Sequence, residues 1–170
     1  HISNYKKQTL TGTHTQAPNF SLRLTLRRYL AAERKGKAPK DLDLSSLKHF
    51  FNAAEPVSVS DIDAFVSIFS KNAGLKASAI VPGYGLAEHV VYVCDGGKQR
   101  LCVDVKELES NQKILVLQDE KKGRVLVGCG VPGKDVDLRV VKNGKELSED
   151  QVGEIWLRSG SKTSGYWNMP

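Results

Sequence analysis

Between Val81 and Glu88 the chain reads Val-Pro-Gly-Tyr-Gly-Leu-Ala-Glu, and two residues of that octet could do chemistry. Tyr84 sits between Gly83 and Gly85, so neither neighbour has a side chain to cover its ring, and a flat ligand can reach either face. Glu88, one helical turn's worth of residues further on, offers a carboxylate able to hold a hard cation. With Pro82, the glycines make this a loop that no regular helix or strand could hold. The same octet also fits a tight turn with an anchoring tyrosine and a solvated glutamate. A second stretch, Asn52-Ala53-Ala54-Glu55-Pro56, has residues small enough to admit a ligand close to the backbone. His14, among the threonines of Thr11 to Thr15, either lines a pocket or is a hydrogen-bonded structural residue.

Bringing these stretches to one edge requires parallel strands. Leu44 to Phe51 is apolar enough for a buried strand ending at the small-residue stretch, and Ala77 to Val81 reads as a second strand delivering the tyrosine loop. Between them Ile62, Phe65, Val66 and Phe69 fall at i, i+3, i+4 and i+7, which predicts a helix that Ser58 or Ser60 caps and Gly74 ends. Strand, helix, strand with both loops at one end is a right-handed βαβ unit, and ligands of such sheets bind at the carboxyl edge. Upstream, Thr11 to Thr15 suggests a short strand, and Ala17-Pro18-Asn19 an entry to an imperfect amphipathic helix from Phe20 to Arg34 that stops at Gly36. Ile2, Tyr5 and Leu10 could form one side of a helical end.

After about Cys94 glycines multiply and apolar runs shorten to strand length. Arg100 to Val103, Ile114 to Leu117, Val125 to Cys129, Val136 to Val141 and Glu154 to Leu157 are candidate strands, and no long helix is needed. Asn143-Gly144 signals a tight hairpin. Gly128 to Gly133 is expected to be a turn between strands rather than a phosphate loop, since no helix follows it. The expected fold class is α/β: a parallel βαβ portion over residues 1–93, then a β-rich, barrel-like portion over residues 94–170.

Composition narrows the function classes. A hydrophobic fraction of 40% and a charged fraction of 26% describe a soluble globular chain. No apolar run is long enough to span a bilayer, and His1 opens no signal-peptide pattern. Cys94, Cys102 and Cys129 lack a CxxC or a matching histidine pair, so buried thiols in a reducing, cytoplasmic compartment are expected rather than zinc ligands or disulfides. The net charge of +6 raises nucleic-acid binding. The basic residues Arg27, Arg28, Arg34, Lys35, Lys37 and Lys40, and Lys121, Lys122 and Arg124, have few aromatics among them for base stacking, and a solvated helix face and hairpin account for them.

Taken in order, Asn52 to Pro56, Tyr84-Gly85-Leu86-Ala87-Glu88, and Gly153-Glu154-Ile155-Trp156-Leu157 running through Ser161 to Gly165-Tyr166-Trp167-Asn168 resemble the motifs of the adenylate-forming superfamily of acyl-CoA synthetases, and specifically the fatty acyl-AMP ligases. Thr13 to Phe20, with Ala-Pro-Asn-Phe, looks like that branch's acyl-pocket segment. The resemblance implies ATP/AMP and Mg2+ as cofactors and a fatty acid as substrate. In that family the carboxylate attacks the α-phosphate, pyrophosphate leaves, and the acyl group passes to an acyl carrier protein or polyketide synthase module. Adenine would lie between Asn52, Ala53, Ala54 and Glu55 on one side and Tyr84 on the other, with Gly85, Leu86 and Ala87 completing the nucleotide loop. Glu88 would be the magnesium-holding, catalytic glutamate, and His14, Asn19 and Phe20 would belong to the fatty acid pocket.

Ala87 stands where many relatives have threonine, which is common in the fatty acyl-AMP branch, whereas Lys162-Thr163 departs from the small apolar residues expected. Residues from about 98 to 123 correspond to the added segment by which that branch is held to restrain its C-terminal domain and disfavour CoA. The family's phosphate loop would precede His1, and its ribose aspartate, hinge and C-terminal lysine would follow Pro170. The resemblance thus makes the chain a central slice of an adenylating domain, inactive alone. The alternatives are a long-chain fatty acid CoA ligase and a non-catalytic scaffold of the same fold.

Overall fold

Ser58 starts the central helix: its hydroxyl accepts the Asp61 N–H at 3.3 Å, and α2 (Val59–Ala73) runs from there to Gly74, whose φ of +68° ends it. The inward face of α2 is Ile62, Phe65, Phe69 and Ala73, all buried, as the periodicity predicts. These details come from a computed structural model, which describes residues 12–169, so the helical end expected at Ile2, Tyr5 and Leu10 lies outside them. Three parallel strands, β1 (His14–Pro18), β2 (His49–Ala53) and β3 (Ile80–Pro82), form a sheet in the order β1-β2-β3. Helix α1 (Asn19–Arg34) crosses from β1 to β2, and α2 crosses from β2 to β3. Successive right-handed crossovers in one direction put both helices on the same face of the sheet. They meet there: the Tyr29 and Phe69 rings are 4.9 Å apart, and Phe65 contacts Phe69 at 4.5 Å and Phe50 of β2 edge-on at 6.2 Å. Leu22, Leu75, Ala79 and Ile80 complete this core.

The expected α/β class holds, with shifts in where strands begin. Residues expected to start β2 at Leu44 form a turn instead, with the Leu44 N–H donating to the Ala73 carbonyl at 2.7 Å. Leu42, Leu44 and Leu47 then pack on the helical core as half-buried residues. An apolar run looks the same in sequence whether it lies in a sheet or wraps over a helix end. Strand β2 therefore begins at His49 and takes in Asn52 and Ala53, leaving Ala54 (φ +68°), Glu55 and Pro56 as the loop. Likewise Ala77–Ala79 is a 3-10 turn ahead of β3, and β1 lies later than Thr11 to Thr15, running straight into α1.

The second half is antiparallel. It contains β4 (Cys94–Gly96), β5 (Arg100–Val103), α3 (Val105–Ser110), β6 (Arg124–Val127), β7 (Gly130–Pro132), β8 (Asp137–Lys142), β9 (Lys145–Glu146) and β10 (Glu154–Arg158). The pairs β4-β7 and β5-β6 and the sheet β10-β8-β9 remain separate among the described residues. No closed barrel forms from them, which corrects the barrel-like expectation: short paired runs predict hairpins but not how hairpins join. Asn143 (φ +52°) and Gly144 (φ +73°) make the hairpin between β8 and β9. Ile114 to Leu117 makes only a single bridge, Val103 to Val116, and Gly130–Pro132 is a strand rather than part of a turn. Helix α3 was not expected. Its cap is nevertheless in the sequence, since the Asp104 carboxylate accepts the Glu107 N–H at 2.9 Å.

Ties from β3 and its neighbours hold the second half to the first. Tyr84 bridges Cys94, the Gly97 N–H donates to the Pro82 carbonyl at 2.9 Å, and the Arg100 guanidinium grips both Asp63 oxygens at 2.9 and 2.6 Å. His49 of β2 meets Asp95 of β4 at 3.0 Å.

Candidate functional site

The register aligns Pro18 with Ala53 and Asn52 with Pro82, so the carboxyl ends of all three strands finish side by side. A cleft of about 430 Å³ opens at that edge. Ala53, Ala54, Gly85, Leu86 and Ala87 line it, and Pro18, Phe51 and Val91 supply apolar walls. Two stretches separated in sequence by helix α2 thus converge on one cavity.

The tyrosine loop is closed on itself. Tyr84 exchanges backbone hydrogen bonds with Cys94 (3.0 and 2.8 Å), and the Val91 N–H returns to the Leu86 carbonyl at 3.0 Å. Val90 (φ +52°) and Val91 (φ +75°) turn the chain back through the left-handed region, rarely adopted by β-branched residues. Neither Gly83 nor Gly85 has positive φ; each is required by close approach. A Cβ on Gly85 would lie 1.3 Å from the Val91 carbonyl oxygen, and one on Gly83 would lie 2.0 Å from the Phe51 ring. Tyr84 is left half-buried, and its hydroxyl makes no hydrogen bond among the described residues.

Glu88 is exposed within a 3-10 turn, Ala87–His89. Its carboxylate has no hydrogen-bond or ion-pair partner among the described residues, while its backbone carbonyl accepts the Thr163 N–H at 2.8 Å. No group of three or more histidine, cysteine or acidic side chains among the described residues could cage a metal. Glu88 offers a cation an exposed carboxylate, a donor that suits magnesium shared with phosphate oxygens and water.

Several expected residues serve as supports. Asn19 is buried, its amide donating to Asp61 Oδ2 at 2.9 Å and its Oδ1 accepting from the Asn52 amide (3.3 Å) and the Ser58 N–H (3.2 Å). Asn52 is wholly buried, and its Oδ1 has no partner among the described residues. The exposed Glu55 carboxylate accepts the Phe20 N–H, pinning the start of α1 to the β2 loop, and the Phe20 ring is largely exposed. His14 lies at the amino end of β1, away from the cleft, where it bonds Thr13 Oγ1 at 2.8 Å and stacks on His49 with centroids 5.8 Å apart. It lines a separate cavity beneath Leu42 to Leu47.

His89 was missed. It is buried, with Nδ1 2.8 Å from Ser159 Oγ, and no signal in its own neighbourhood pointed to a partner so far along the chain. All three cysteines are free; burial pushes the Cys94 and Cys129 thiols up, Cys129 adding to the effect at Cys94. Burial, then the charges of Asp95 and Cys94, also pushes up the Tyr92 hydroxyl beside the loop.

The profile of the AMP-binding enzyme family matches residues 4–167. The chain belongs to that family. It is 37% identical over 164 residues to the medium-chain fatty acid acyl-carrier-protein ligase JamA of Moorena producens, an alignment covering 92% of this chain and 27% of JamA. To the long-chain fatty acid AMP ligase FadD32 of Mycobacterium marinum it is 33% identical over 162 residues, covering 92% of this chain and 25% of FadD32. Its fold matches the fatty acyl-adenylate ligase of Legionella pneumophila, solved with acyl adenylate and pyrophosphate, at a TM-score of 0.80 and 31% identity, covering 94% of this chain and 28% of that one. The chain thus spans about a quarter of the length of the family members it matches. No helix of the described residues is long and apolar enough to cross a membrane.

Proposed function

We propose that this chain is the nucleotide-holding part of an enzyme that joins a fatty acid to AMP. The observation that carries the proposal is the cleft at the carboxyl edge of the parallel strands, lined by Gly85 to Ala87, whose sequence neighbours are Tyr84 and Glu88, the latter an exposed carboxylate with no partner among the described residues. Adenine fits the cleft: Ala53 and Ala54 keep one wall low, and Gly85 to Ala87 present backbone on the other. Tyr84 offers its half-buried ring face to the purine. Glu88 would hold the magnesium that accompanies the nucleotide's phosphates. When bound, Mg2+ neutralises charge on the phosphate oxygens as pyrophosphate departs. The protein's own part is positioning: no side chain of the cleft need act as a nucleophile, because the fatty acid carboxylate attacks the α-phosphorus and the bond to pyrophosphate breaks.

Asn52, Ala53, Ala54, Glu55, Tyr84, Gly85, Leu86 and Ala87 make up the proposed nucleotide site, and Glu88 the metal site. Asn19 and Glu55 act through the backbone they hold, and Phe20 and His14 belong to the acid-binding side of the reading. The change from parallel to antiparallel pairing supports treating residues 1–93 and 94–170 as portions of two subdomains, with an insertion at about 98–123. JamA is named a carrier-protein ligase, which favours a carrier protein over CoA as acceptor. Three free cysteines fit a cytoplasmic setting.

The test is Glu88→Gln in the full-length protein. Fatty-acid-dependent exchange of pyrophosphate into ATP should slow strongly and demand more magnesium, with ATP affinity measured without metal unchanged. An unchanged exchange rate at limiting magnesium would refute the role given to Glu88.

A further inference from the structure

Glu88 points into solvent, yet the residue after it is almost completely enclosed: His89 is 4% exposed. Its Nδ1 meets Ser159 Oγ at 2.8 Å, Ser159 Oγ meets Ser161 Oγ at 2.9 Å, and Ser161 Oγ donates back to the His89 carbonyl at 3.3 Å. This closed ring joins segments 70 residues apart in sequence. Beside it the Thr163 N–H holds the Glu88 carbonyl at 2.8 Å.

The turn that carries Glu88 needs such support. Ala87–His89 has no side-chain cap at its start, and two consecutive left-handed valines follow it. A backbone of that kind persists only where its surroundings hold it. The ring is the one set of side-chain hydrogen bonds, among the described residues, that reaches this turn from outside the loop.

We propose that His89 is a positioning residue for Glu88, acting through Ser159: the pair fixes the turn so that the carboxylate stands ready at the metal site. The inference rests on the reading of Glu88 as a magnesium ligand. Supports behind a metal ligand typically change affinity without touching the metal. The effect should therefore fall on the metal requirement and spare the fatty acid.

In the full-length enzyme, calorimetric titrations of magnesium binding and magnesium titrations of pyrophosphate exchange should both show His89→Ala and Ser159→Ala each raising the half-saturating concentration by about tenfold. The double variant should be no worse than the poorer single, because the two residues act as one latch. His89→Asn, which can return a polar atom near Nδ1, and Ser159→Thr, which keeps the hydroxyl, should restore the wild-type requirement, and KM for the fatty acid should not move. If His89→Ala does not fold, the Ser159→Ala and Ser159→Thr pair at the half-buried end of the latch decides alone. Singles with a wild-type magnesium requirement, beside a Glu88→Gln enzyme whose requirement rises, would overturn the latch and leave the glutamate reading standing. No change in Glu88→Gln would overturn both. Additive effects, or a parallel rise in KM for the fatty acid, would show general loosening and overturn the proposal.

Discussion

Tyr84 sits half-buried between two glycines whose missing side chains make room for the Phe51 ring and the Val91 carbonyl. Gly85 has the Val91 carbonyl where its Cβ would be, so Gly85→Ala should push the loop off Val91 and misplace Tyr84 and Glu88 together. The expected result in the full-length enzyme is loss of nucleotide binding by calorimetry with little change in the helical circular dichroism signal, since α1 and α2 lie outside the loop. Tyr84→Ala is milder: losing a stack on the base should weaken ATP binding by about 1–3 kcal/mol. Tyr84→Phe should bind almost as tightly, because the hydroxyl has no hydrogen bond among the described residues; a loss equal to that of alanine would assign recognition to the hydroxyl instead. Tyr84 and Glu88 stand out in the sequence because their proposed chemistry belongs to residue type and to glycine neighbours. Asn19, Asn52 and Asp61 were not legible as one network, and neither was the contact of His89 with Ser159. Hydrogen bonds between residues 33 to 70 positions apart leave no mark on local spacing. His14 shows the converse: its type suggested a pocket, and only the strand register tells which, a cavity at the far end of β1 from the cleft.

Among elements, those read from a strong local rule appear where expected, and those read from apolar content alone shift. Helix α2 has both caps and a full apolar stripe in sequence, and β8 to β9 has its Asn-Gly turn. Leu44 to Phe51 carried only hydrophobicity, which a turn over α2 satisfies as well as a strand does. Helix α3 was overlooked although Asp104 and Glu107 have capping-box spacing, because it is short and lacks an apolar stripe. The pairing around α3 also sharpens the test of the added segment. Val103 of β5 pairs with Arg124 of β6, and Val103 is fully buried. Cutting from residue 98 would therefore remove a core strand as well as the insertion. Replacing residues 104–123 by an Asn-Gly turn would instead join the paired strand ends in a tight hairpin. In the full-length enzyme this variant should still form acyl-AMP. If the segment restrains a later domain movement, it should also gain acyl-CoA product, detectable by mass spectrometry. Adenylation retained with no CoA product would count against the restraint.

For the molecule as a whole, the question is what a chain spanning about a quarter of its relatives' length can do by itself. The chain has a core of its own, with Leu22, Phe65 and Phe69 enclosed between helices and sheet and Val93 and Val103 enclosed in the second half, so it should fold. It also presents Val131, Tyr166, Trp167 and Met169 largely exposed, and both β1 and β3 stand at edges of the described parallel sheet. Open edges and bare aromatic rings favour pairing between copies, so the isolated chain should self-associate with rising concentration in light scattering. Adenylation needs donors around the β- and γ-phosphates and a cation near the reacting carboxylate, and the cleft contributes apolar walls, backbone and one carboxylate. The isolated 170 residues should thus release no pyrophosphate from ATP and magnesium with any fatty acid offered, even where the monomer is well folded. On the proposed function, a protein carrying this chain at the full length of its relatives should perform the reaction, whereas steady turnover by the purified chain would mean that the phosphate-binding and acid-activating groups already lie within it, and the roles assigned to Tyr84 and Glu88 would have to be redrawn.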